Sequence, residues 1–181
     1  MRAGWSTSLS DAPAIDPRRR AALCAGILTA TGLAGCGFRP RQPPVFAFTT
    51  LQLAGFAPRS PLADTLRQRL ADSATTRVVE SLAEAQVVLE ALTDSRERRV
   101  VATTAAGQVR TLQLRTRFRF RLRSQSGREL IAATEILQQR DMTYDESQAL
   151  AKEQEEALLY RGMQADIASQ VLRRLASVQT I

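Results

Sequence analysis

From Gln108 to Ser124 the chain alternates. Leu112, Leu114, Phe118, Phe120 and Leu122 fall on one side, and Arg115, Arg117, Arg119, Arg121 and Arg123 on the other. A period of two held over this length describes a β-strand with one apolar face and one charged face, and it excludes a helix. Ser126-Gly127 supplies a hairpin turn and Glu129 to Leu137 the return strand. Burying the leucines and phenylalanines sends all five arginines to the opposite face, away from any helix that covers the core. Register is the open question. A two-residue loop, Ser126-Gly127, would set Glu135 opposite Phe118 on the apolar face. A three-residue loop, Ser126 to Arg128, would set Glu135 beside Arg119 and Ile136 beside Phe118. The second pairing is favoured by about 0.2–1 kcal/mol and is the one expected.

The flanking segments supply partners for that hairpin. Val45 to Leu53 is a strand candidate, with Val45, Ala47, Thr49 and Leu51 on one side and Phe46 and Phe48 on the other. Ser60-Pro61 reads as an N-cap followed by Pro at the first helical position, and Leu62, Leu66 and Leu70 make one apolar stripe. That helix fades at the short, mostly polar residues Ser73 to Thr76. Ala85 to Thr93 reads as a strand. Asp94 to Arg99 is a charged interruption, and Val100 to Thr104 resumes the strand before an Ala105-Ala106-Gly107 turn. Asp145 to Val178 is a long helix whose buried stripe is Leu159, Met163, Ile167, Val171, Leu175 and Val178, with a capping box between Asp145 and Gln148. The expected fold is therefore an α/β (α+β) two-layer sandwich, with two helices on one face of a four-stranded mixed sheet.

The first part of the chain is of another kind. Arg18, Arg19 and Arg20 precede an apolar run, Ala21 to Leu33, that is too short to span a bilayer and suits a signal segment. The approach from Met1 to Pro17 is long, which admits a downstream start or a twin-arginine leader. Leu33-Ala34-Gly35-Cys36 resembles the lipobox of bacterial lipoproteins. That resemblance implies removal of residues 1–35 and lipidation of Cys36. Gly37 to Pro44 carries Pro40, Pro43 and Pro44 and reads as an extended tether over 36–44, leaving 45–178 as a single domain. Cys24 leaves with the leader and Cys36 is consumed by lipid, so no free thiol remains, as an oxidising compartment allows. Gly37 after the Cys is not the Asp that resembles an inner-membrane retention signal in enteric bacteria, which favours the outer membrane.

Composition narrows the chemistry. The 181 residues carry 25 Lys+Arg against 18 Asp+Glu, a net +7, and Lys152 is the only lysine. A basic excess admits anionic partners without choosing among them. There is no His, which removes the commonest general base and metal ligand. Glu153, Glu155 and Glu156 lie on a helix without a nucleophile pattern and read as a polar face rather than an acid–base site. The expectation is a non-enzyme with no metal and no cofactor.

Taken in order, these residues resemble the LptE family, the outer-membrane lipopolysaccharide-assembly lipoproteins. The resemblance lies in Cys36-Gly37-Phe38-Arg39-Pro40, the helix with Leu66 and Leu70, the segment Ala85 to Leu89, the Arg-rich hairpin, and the helix from Leu150-Ala151-Lys152-Glu153 to Arg174-Leu175. It covers Cys36 to Val178. It implies two helices on a four-stranded sheet, residence as a plug in the LptD β-barrel of the outer membrane, and transfer of lipopolysaccharide without covalent chemistry. The partners so implied are the LptD-type barrel, lipopolysaccharide and a membrane held through the lipid anchor, with no nucleic acid. The candidate lipopolysaccharide-binding residues are Arg115, Arg117, Arg119, Arg121 and Arg123, because Arg pairs with phosphate bidentately. The other readings of that row are a solvated face and a contact with the barrel lumen. Two other functions are a lipoprotein subunit of an ABC-type lipid transporter and a periplasmic polyanion-binding module.

Overall fold

A computed structural model describes residues 45–73 and 75–181 of the chain. The leader, Cys36 and the tether lie outside the described residues. The order is β1 (Thr50–Ala54), α1 (Pro61–Ala71), β2 (Arg77–Val79), β3 (Val87–Thr103), β4 (Val109–Ser124), β5 (Glu129–Thr143) and α2 (Ala149–Ala176), with short 3-10 turns at Leu82–Glu84 and Glu146–Gln148. The sheet has five strands in the order β2-β1-β3-β4-β5. β1 runs parallel to β2 and β3, whereas β3, β4 and β5 are antiparallel neighbours.

The fifth strand, β2, corrects the expected four. It is only three residues long, too short to show a period. Thr76 ties it in place by donating from Oγ1 to the Phe48 carbonyl at 2.8 Å, and the Arg77 N–H donates to Thr49 O at 3.0 Å. The predicted first strand is also shorter than expected. Phe46 and Phe48 precede β1 as buried, stacked rings 5.4 Å apart.

The charged run Asp94 to Arg99 does not interrupt β3. A bulge between Ala91 and Thr93 pushes Leu92 out of the alternation and shifts the phase by one. Before it, Val87, Leu89 and Ala91 are buried beneath the helices; after it, Asp94, Arg96 and Arg98 take that side. Each of the three is met there. Asp94 accepts from Ser60 Oγ at 2.6 Å, Arg96 lies over the Tyr160 ring, and Arg98 pairs with Glu156 at 3.3 Å. Gly55 faces the bulge. Its φ is +76°, and a Cβ there would stand 2.4 Å from the Ala91 carbonyl oxygen. Gly55→Ala should therefore cost about 1–3 kcal/mol, read as a lower urea midpoint, through a left-handed backbone and a clash that backbone cannot relieve.

Along β4 every even position from Leu112 to Ser124 is buried, and both helices cover this face. Ser60 caps α1 by accepting from the Ala63 N–H, and Leu62, Leu66 and Leu70 reach into the core as the stripe predicts. In α2 the buried face is broader than the expected stripe. Tyr160, Gln164, Ala168 and Leu172 join it, while Leu159 and Val178 are half-buried. The helix packs against both the sheet and α1, so one narrow stripe does not suffice. Asp145 does not form the capping box. Its carboxylate accepts from the Ser147 N–H and Oγ, and the 3-10 turn intervenes before α2.

The hairpin pairs Phe118 with Ile136 and Arg119 with Glu135, the expected register. The loop differs. Ser124 closes it by donating to the Arg128 carbonyl at 2.8 Å, so Gln125 to Gly127 form the turn. Register shifts between Phe120 and Arg123 reconcile that turn with the body of the hairpin. β5 also continues past Leu137 to Thr143.

Candidate functional site

The regular alternation of β4 brings Arg115, Arg117, Arg119, Arg121 and Arg123 onto the face opposite both helices. They are not a bare row of positive charge. β3 and β5 place carboxylates and an amide among them. Glu90, registered against Arg121, accepts from Arg121 Nε at 2.7 Å and pairs with Arg123 at 2.9 Å. Glu135 meets Arg117 at 3.8 Å, diagonally rather than across from Arg119. Gln139, with its amide turned to satisfy both groups, accepts from Arg115 at 3.2 and 3.1 Å. Arg119 is exposed and has no side-chain partner among the described residues. Glu90, Glu135 and Gln139 belong to this site; Glu135 was expected beside Arg119, whereas sequence reasoning missed Glu90 and Gln139. Only the cross-strand register reveals them.

The electrostatics follow from that geometry. The hydrogen bond from Arg121 holds the Glu90 carboxyl below its usual value of 4.5, partial desolvation opposes the shift, and the charge of Arg123 adds to it. Arg121 is correspondingly raised, first by the bond to Glu90. A depressed folded pKa means the pair stabilises the fold while Glu90 is ionised. That contribution is present above the unfolded value and is lost as pH falls through the folded one. In urea melts from about pH 7 to about pH 3, Glu90→Gln should be less stable than the parent at neutrality. The gap should close as the solution is acidified below about pH 4.5. A constant gap would mean that Glu90 acts through packing alone.

Such a face suits the binding of anions. The arginines offer planar donor forks for phosphate or carboxylate. An incoming anion would meet Arg119 unpaired and would have to compete with Glu90 and Glu135 elsewhere. Among the described residues no cluster of acidic or thiol side chains is arranged to hold a metal ion. No described helix is long and apolar enough to cross a membrane.

The sequence profile of the LptE family, described as lipopolysaccharide-assembly, matches residues 48–175. Among solved structures, the chain is similar to uncharacterized lipoprotein B from Nitrosomonas europaea. Identity there is 26%, the TM-score is 0.67, and the alignment covers 78% of this chain and 91% of that one. It is also similar to the rare lipoprotein B from Shewanella oneidensis, with 26% identity, a TM-score of 0.60, and coverage of 71% and 95% respectively. A minor lipoprotein from Acinetobacter baumannii shares the fold at 19% identity, with a TM-score of 0.59 and coverage of 74% and 94%. No curated protein matches the chain in sequence.

Proposed function

Since the chain belongs to the LptE family of lipopolysaccharide-assembly lipoproteins, we propose that it is the plug subunit of an outer-membrane lipopolysaccharide translocon. In this reading it is anchored through Cys36, sits within an LptD-type β-barrel, supports assembly of that barrel and helps insert lipopolysaccharide. The observation that carries the reading is the family match over 48–175, which spans both helices and all five strands. The shape is compatible with such a role. A two-layer domain with one face covered by helices and one open, charged sheet face offers a barrel wall two chemically distinct surfaces. The absence of His throughout the chain fits binding rather than acid–base catalysis.

Within this proposal the arginine face contacts lipid A phosphates. Arg119 makes the first contact, and Arg115, Arg117, Arg121 and Arg123 follow where phosphate displaces their internal partners. Phosphate, with more charge than a carboxylate, can win such an exchange at a half-exposed site.

One experiment tests both levels. Affinity purification of the full chain from detergent-solubilised outer membrane should yield a one-to-one complex with a β-barrel protein, with lipopolysaccharide bound. Arg119→Glu should keep the barrel and lower the lipopolysaccharide content, because the apolar face is untouched. Recovery only with an inner-membrane permease complex would overturn the plug role. Unchanged lipopolysaccharide content in Arg119→Glu would move its binding off this face.

A further inference from the structure

On the helix side of the sheet, at the phase-shifted end of β3, lies a groove of about 520 Å³ between the start of α1, β3 and α2. Arg96 stands in it under unusual constraint. The guanidinium carbon lies 5.5 Å from the centroid of the Tyr160 ring. Tyr160 is itself fixed, because its hydroxyl donates to the Glu97 carbonyl at 2.9 Å. Gln164, only 3% exposed, turns its amide oxygen to accept from Arg96 Nε at 3.1 Å and from Nη2. One face and one edge of the guanidinium are therefore held by neutral groups. Arg96 is exposed, and its second edge, Nη1 with the other Nη2 hydrogen, has no partner among the described residues. Arg96 thus presents an open donor edge on a fork whose orientation is already set.

The rest of the groove says what fits that fork. Arg98 is paired with Glu156 at 3.3 Å, and Arg161 and Glu153 line the same walls. Two glutamates there disfavour a doubly charged phosphate. A single carboxylate matches both the one open fork and the local balance of charge. Pro61, Ala157 and the Tyr160 ring give apolar surface beside it, which suits the chain carrying the carboxylate better than a bare ion. The geometry points to a docking groove for a partner polypeptide, with an Asp or Glu side chain of the partner held bidentately by Arg96. This goes beyond the lipopolysaccharide reading and does not depend on it. The groove lies on the helix side of the sheet, and the arginine row lies on the other.

The test uses the full chain in detergent with its arginines labelled by ¹⁵N. The Arg96 Nε–Hε resonance is followed while a blocked Ala-Glu-Ala peptide, its Ala-Gln-Ala counterpart, or inorganic phosphate is added. The glutamate peptide should shift the resonance saturably and bind at least about tenfold more tightly than either alternative. Gln164→Leu should weaken that binding by about tenfold with Arg96 still present, because the fork is no longer held. Arg96→Gln, which loses both the charge and the fork, should abolish the preference for Glu over Gln. Equal affinity for the two peptides would overturn the proposal. Tighter binding of phosphate would also overturn it, and would reassign the groove to phosphate. Both outcomes are read on the parent chain, so neither depends on how a variant folds.

Discussion

Phe118→Ala should lower stability by about 3–5 kcal/mol, the largest loss expected of any single core truncation in the domain. Phe118 is fully buried and lies between two other rings, Phe56 at 5.6 Å and Phe120 at 5.3 Å. It sits on β4 across from Asp94 and Ile136, so its ring fills the space at the middle of the sheet where strands on both sides are already committed. The surrounding backbone has little freedom to collapse into the void, and the cost of the cavity adds to the lost transfer energy. Against a total of about 5–15 kcal/mol for a domain of this size, the variant should be marginal at room temperature. Urea unfolding followed by circular dichroism measures it. The neighbouring inward position gives the control. Thr116 is also fully buried, and its hydroxyl has no hydrogen-bond partner. Thr116→Val removes an unsatisfied polar atom at nearly constant volume and should be neutral or stabilising. A loss below about 1 kcal/mol for Phe118→Ala would mean that the aromatic cluster is not where the domain's stability resides.

The contrast between β3 and β4 explains what was legible in the sequence. β4 keeps one phase from Leu112 to Arg123, so its two faces, and the arginine row with them, could be read directly. β3 changes phase at Leu92. A single extra residue converts Asp94, Arg96 and Arg98 from apparent loop residues into inward-facing ones. Their tolerance of that position depends on Ser60, Tyr160 and Glu156, which are distant in sequence and invisible to a local period. The same limit applies to the candidate site. Glu90 lies 31 residues from Arg121, and only the β3–β4 register brings the two within 2.7 Å. The hairpin register was accessible because it follows from keeping Glu135 off the apolar face. The loop that delivers it was not, since the register shifts near Phe120 to Arg123 leave no mark on the pattern. β2 stayed hidden for a plainer reason. Three residues carry no periodicity, and hydrogen bonds from Thr76 and Arg77 to the segment before β1 hold it there.

Cys36→Ala should abolish lipid anchoring and leave an unprocessed precursor. The sequence Leu33-Ala34-Gly35-Cys36 places small residues where a peptidase must reach the backbone, and it puts a thiol at the one position able to form a thioether with diacylglycerol. Alanine keeps the position small and removes the thiol nucleophile. Each buried methylene contributes roughly 0.8 kcal/mol of membrane affinity, so two or more acyl chains hold a protein stably where one does not. No described helix offers a substitute anchor of the spanning kind. Fractionation should therefore move the variant out of the outer-membrane fraction, and intact-mass measurement should find the leader retained and no acyl mass. The folded domain over 45–178 should be unaffected, because Cys36 precedes it and the tether's prolines separate the two. Unfolding of the variant should match that of the parent. If the variant is processed normally and stays in the outer-membrane fraction, Leu33 to Cys36 is not a lipobox, and the domain must reach its membrane by protein contacts alone.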